Sequence, residues 1–143
     1  MLVTALIAPA AAASLSLLDP LVGHCWTTRL SPDLVDRHCF RLVYGGKHVR
    51  DEHVVLEKDR AVYSGETIFS EVPEGLAFLY VNSLGGAGHG TATTSGSGIR
   101  FRLTMRATPS ADPQVIETSW TIGPQGFDMS TSEGIRHFRL DDR

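Results

Sequence analysis

Ile99-Arg-Phe-Arg-Leu-Thr-Met-Arg106 alternates apolar and polar side chains residue by residue. A period of two marks a β-strand with one face in a core and one in water, because successive Cβ atoms point to opposite sides of the backbone. Ile99, Phe101, Leu103 and Met105 are therefore expected inside, and Arg100, Arg102 and Arg106 outside. A row of arginines also suggests an RNA-binding surface, but stacking on bases needs aromatics on the same face, and here they lie on the opposite one.

On either side of this stretch, short runs rich in β-branched and aromatic residues recur at 23–30, 37–44, 47–57, 62–72, 76–83, 89–94, 114–122, 125–131 and 135–141, with Gly, Pro, Asn, Asp or Ser between them. Together with 99–107 they make a meander of ten strands. The one helical signal is a turn or two over 14–23, ended by Pro20 and Gly23. Strands joined by successive hairpins must hide their edges. An antiparallel up-and-down barrel does so by closing, and a two-sheet sandwich is the competing arrangement. Parity carries the interior on to Ile116, Thr118, Trp120 and Ile122, then to Phe127 and Met129, then to Phe138 and Leu140.

The whole sequence of 143 residues, 42% hydrophobic and 20% charged, has the composition of one globular domain. A formal net charge of −3 speaks against a general nucleic-acid binder. No apolar run reaches the ~18–20 residues that cross a bilayer, so no membrane span is expected. Residues 1–13, apolar and ending in alanines, fit a cleavable signal peptide or a disordered leader, with 14–143 as the folded domain. The first reading makes the protein periplasmic or secreted, and the second leaves it cytoplasmic.

The two cysteines, Cys25 and Cys39, fall in the first hairpin. If its turn centres near Pro32, they lie directly opposite one another, with Trp26, His38 and Phe40 on the other face. Opposed Cβ atoms are within reach of a disulfide, and closing a loop of about 15 residues stabilises by ~3 kcal/mol through chain entropy. In a reducing compartment the same residues remain two thiols.

Leu21-Val-Gly-His-Cys-Trp26, a short helical lead-in followed by a Gly and a Trp at the first strand, resembles the opening of lipocalin-like proteins of the calycin group. Tyr44-Gly-Gly-Lys-His-Val-Arg-Asp51, Tyr63-Ser-Gly-Glu-Thr67 and Tyr80-Val-Asn-Ser-Leu-Gly-Gly86 look like the corresponding hairpins of small bacterial barrels of that kind. This chain has one more residue between Gly23 and Trp26 than the lipocalin Gly-x-Trp, which calls for a bulge or a different part for the Trp. What the resemblance implies is a barrel whose central cavity holds a small apolar or amphipathic molecule.

Most signatures of chemistry fail on spacing. The six histidines show no pair at the helical i, i+4 spacing of a zinc enzyme. His24 and His38 could share a face of the first hairpin, but no carboxylate or thiolate is expected there, so no metal site is expected. Gly85-Gly-Ala-Gly-His-Gly90 lacks the Lys of a phosphate loop and reads as a wide hairpin. No cofactor is called for.

Ligand-binding side chains are expected at Trp26, Phe78, Tyr80, Asn82, Phe101 and Trp120, with Tyr80 and Asn82 bringing polar groups into an apolar lumen. Glu66, on the face of Val62 and Ile68, is a further candidate, while residues 48–56 could turn either Arg50 and Glu52 or Asp51 and His53 inward. The favoured reading is a binding protein, monomeric or homodimeric, for a small molecule. The alternatives are a barrel isomerase or cyclase with Glu66 or His53 as proton carrier, and a nitrobindin-like haem binder. The haem version needs His137 inside, where parity with Phe138 and Leu140 does not put it.

Overall fold

The computed structural model describes residues 13–142, so Met1 to residue 12 of the apolar leader lie outside the described residues. Among these, a 3₁₀ helix (Leu15–Leu21) leads into ten strands: β1 (Cys25–Ser31), β2 (Leu34–Val43), β3 (His48–Glu57), β4 (Arg60–Val72), β5 (Gly75–Asn82), β6 (Ala87–Ser95), β7 (Gly98–Arg106), β8 (Gln114–Gly123), β9 (Gly126–Thr131) and β10 (Gly134–Leu140). Each pairs antiparallel with the next, and β10 returns to β1, so the sheet closes as a barrel. Closure is the barrel's answer to the edge problem, and it rules out the sandwich.

The ladders differ in length. β2 and β3 are paired at every position from Leu34↔Glu57 to Val43↔His48. The closing seam is the shortest, with Trp26↔Leu140 and Thr27↔Arg139 as its paired positions and one more bond from the Asp141 N–H to the Cys25 carbonyl.

In β7 the interior set is Ile99, Phe101, Leu103 and Met105, while Arg100, Arg102 and Arg106 are exposed, as alternation requires. Two expected interior positions at strand ends stay wet: Ile116 is 36% and Leu140 47% exposed. Parity sets direction, but depth along the barrel axis sets burial, and both residues sit near a rim.

One end of the lumen is filled. Leu18 and Leu21 of the 3₁₀ helix are fully buried and join Ala13, Val49, Leu76 and Ile99 in the core. The helix is pinned from below by Trp26, whose indole Nε1–H donates to the Leu21 carbonyl at 3.1 Å. Above it runs a belt of rings. Phe101 lies 4.5 Å from Trp120, Trp120 4.8 Å from Phe127, and Phe127 4.5 Å from Phe138, the last pair stacked within 2°. Phe69 and Phe78, 5.6 Å apart, continue it on the other side. Each buried ring contributes roughly 1.5–3 kcal/mol by burial and each good pair about 0.5–1.5 more.

Opposite Phe78, β6 supplies Gly90 in place of a further ring. A Cβ there would stand 2.3 Å from Phe78 Cζ and 2.3 Å from the Arg102 carbonyl oxygen, so only glycine lets the ring lie flat on the strand. The glycine-rich 85–90 segment is thus mostly strand, from Ala87 onward, and its turn is confined to the residues before it.

Candidate functional site

Above the aromatic belt, the strands turn polar residues into the lumen. β2 contributes Asp36 and His38, β3 Asp51 and His53, β4 Thr67, and β5 Tyr80. The register brings them together: His38 pairs with His53, Phe40 with Asp51, and Thr67 with both Asp51 and Tyr80. This settles the inner face of β3 as Val49, Asp51, His53 and Val55, with Arg50 and Glu52 outside.

The two histidines lie face to face, ring centroids 4.2 Å apart and planes within 11°. Carboxylates hold them. His38 Nδ1–H donates to Asp51 Oδ2 at 2.7 Å, and His53 Nε2–H donates to Asp36 Oδ1 at 2.6 Å. His38 Nε2 stands 3.6 Å from the same Asp36 oxygen, and Arg136 of β10 stands 3.6 Å from its other one. Asp36 and Asp51 are 2% and 3% exposed, which is tolerable for carboxylates only with cationic or hydrogen-bonding partners. Burial pushes the Asp36 carboxyl up, but the His53 hydrogen bond and the charges of His53, His38 and Arg136 outweigh it and hold it below the usual carboxylate range. For His38, burial works to lower the imidazole, and the charge and hydrogen bond of Asp51 with the charge of Asp36 reverse the outcome and raise it.

Beside this cluster is a cavity of about 130 Å³, with His38, Asp51 and His53 on its polar wall and Phe69, Phe101 and Trp120 on its apolar one. Two of its lining residues carry buried polar atoms with no partner in the protein: Asp51 Oδ1, an acceptor, and Trp120 Nε1, a donor. Tyr80, also on the wall, has its hydroxyl hydrogen-bonded to that of Tyr63.

Of the residues expected to bind a ligand, Phe78, Tyr80, Phe101 and Trp120 meet at this cavity. Trp26 faces inward but is committed to the plugged end, so the two tryptophans do not line one continuous space. Asn82 is a turn cap: its Oδ1 accepts from the N–H groups of Leu84 and Gly86, and its Nδ2 donates to the Ala107 carbonyl.

Glu66 must be corrected outright. It pairs with Glu52 on the outer face and lies with Arg37 and Ser64 in an open groove outside the barrel. Its companions Val62 and Ile68 are outer-face apolar residues, and the lumen side of β4 is Tyr63, Gly65, Thr67 and Phe69.

The expectation of no carboxylate beside His38 also fails. β2 begins at Leu34 rather than 37, and the added residues put Asp36 on the face of His38 while β3 brings Asp51 against it. His24 is exposed and takes no part. His137 is on the outer surface, hydrogen-bonded to Asp128 at 2.9 Å. Compared with known protein families and with curated proteins, the chain matches none.

Proposed function

We propose that this barrel binds a small, compact amphipathic molecule in the cavity above its aromatic belt. The observation that carries the reading is the pair of orphaned buried atoms, Trp120 Nε1 and Asp51 Oδ1, on residues that line the same space. Buried polar groups are nearly always hydrogen-bonded, so an unpaired donor and an unpaired acceptor on residues of one cavity wall call for an occupant offering the complementary pair. An aromatic or short aliphatic body fits against Phe69, Phe78 and Phe101, with an oxygen for the indole N–H and a hydroxyl or amino group for the carboxylate.

Size narrows the class. Drug-sized ligands need roughly 300–1,000 Å³, whereas a cavity of ~150 Å³ takes benzene. At about 130 Å³ the occupant is of that smaller kind, well below a haem. The isomerase or cyclase alternative loses Glu66 to the outer face and is left with His53 alone, paired with Asp36. Export is part of the proposal, supported by the Cys25–Cys39 disulfide and the apolar leader.

The two indoles supply the test. Titrating ¹⁵N-labelled protein with phenol, benzyl alcohol and benzamide should shift the Trp120 Nε1–H resonance saturably, while that of Trp26, bonded to Leu21, stays in place. Native mass spectrometry of freshly purified protein should show a small bound mass. No movement of the Trp120 signal with any probe, together with a bare mass, sinks the reading.

A further inference from the structure

We propose that Asp36, His38 and His53 form a binding site for one divalent first-row transition-metal ion. One donor atom from each of Asp36, His38 and His53 lies within 4.8 Å of the other two, on adjacent strands β2 and β3. An ion bound at ~2.0–2.2 Å to two imidazole nitrogens and a carboxylate oxygen needs those donors roughly 3.3 Å apart. The two separations to Asp36 Oδ1, 2.6 Å from His53 and 3.6 Å from His38, bracket that spacing, and seating the ion requires the stacked rings to swing out of parallel so that each in-plane nitrogen lone pair meets it.

The surroundings are those of a metal site. A ligating histidine is usually oriented by a carboxylate on its other ring nitrogen, and Asp51 Oδ2 accepts from His38 Nδ1–H at 2.7 Å, leaving Nε2 directed at Asp36. Arg136, 3.6 Å from Asp36 Oδ2, holds the carboxylate by the oxygen that does not ligate. Two histidines and one carboxylate leave coordination positions free, and His38 and His53 both line the adjoining cavity. Binding displaces the proton that His53 Nε2 shares with Asp36 Oδ1 and, from the imidazolium form of His38, its Nε2 proton as well, and these protons leave to solvent. Nitrogen-rich borderline donors of this kind favour Zn²⁺, Fe²⁺ or Co²⁺ over Mg²⁺ and Ca²⁺.

The proposal does not rest on the cavity's organic occupant, and its test uses the metal alone. Tag-free protein titrated with Co²⁺ should develop visible ligand-field bands that saturate at one equivalent and are bleached by Zn²⁺, with Mg²⁺ without effect. Asp36→Asn and His53→Ala should weaken Co²⁺ binding at least tenfold, Asp51→Asn by about 10–100-fold, and His137→Ala not at all. Circular dichroism establishes which variants are folded. A folded wild-type protein that gives no saturable Co²⁺ band overturns the proposal, whatever the variants do. So does a band of undiminished affinity in folded Asp36→Asn or His53→Ala.

Discussion

Tyr80 shows what the polar end of the lumen does to a single side chain. Burial first, and the hydrogen bond with Tyr63 second, push its phenol far above the ordinary value of 10.0. Because the folded value is the raised one, the stabilisation is fully present below about pH 10 and is lost as the pH climbs toward the folded value. In an alkaline absorbance titration, the folded protein should therefore ionise at least one fewer of its three tyrosines than the denatured chain does. Full ionisation with native circular dichroism contradicts this. Tyr80 was legible as lumen-facing because Leu76 and Phe78 share its face and are buried. Glu66 was not, because parity gives two faces without saying which is inner, and on β4 the inner face holds a single fully enclosed apolar side chain, Phe69. Asp36 was lost differently: with the strand begun at 37, it fell in a turn.

Hairpins were the most readable elements, since each is a local pattern closed by a local turn. Ser31↔Leu34 closes the first one over Pro32 and Asp33, and Cys25 pairs with Cys39 on the register that follows. The disulfide joins them across a sequence separation of 14. Its loss should cost ~3 kcal/mol. For a domain of this length that is a fall of roughly 10 °C in Tm, read by thermal denaturation with and without reductant or in the Cys25→Ser/Cys39→Ser double variant. An unchanged Tm would mean that the ladder alone holds the hairpin. β6 was read short at its start for a physical reason. Glycine is poor strand-forming material on its own, and Gly88 and Gly90 are there for the neighbours they accommodate, Met105 and Phe78. Nothing local in Gly85–Gly90 records that requirement.

For the molecule as a whole, the barrel was written in the rhythm of its strands, while the content of its lumen was not. Volume left inside a barrel is a difference between large numbers, the enclosed space and the side chains that fill it, and here the rings and the 3₁₀ helix use up most of it. The remaining cavity of about 130 Å³ makes a selectivity prediction. In thermal-shift titrations, phenol-sized compounds should stabilise the protein in proportion to the logarithm of their concentration, and laurate should not. Stabilisation by laurate at lower concentration than phenol would point to a larger lumen than the one described. The closing seam has a consequence of its own. A cylinder of strands is free of edges only while its shortest ladder holds, and here that ladder joins the two ends of the chain through Trp26↔Leu140 and Thr27↔Arg139. These partners are the last to find each other in folding and the first to part in thermal breathing. When they part, β1 and β10 become unpaired borders, each able to zip onto the border of another copy. Association at high concentration is therefore expected to begin at this one seam, at a rate set by how often it opens.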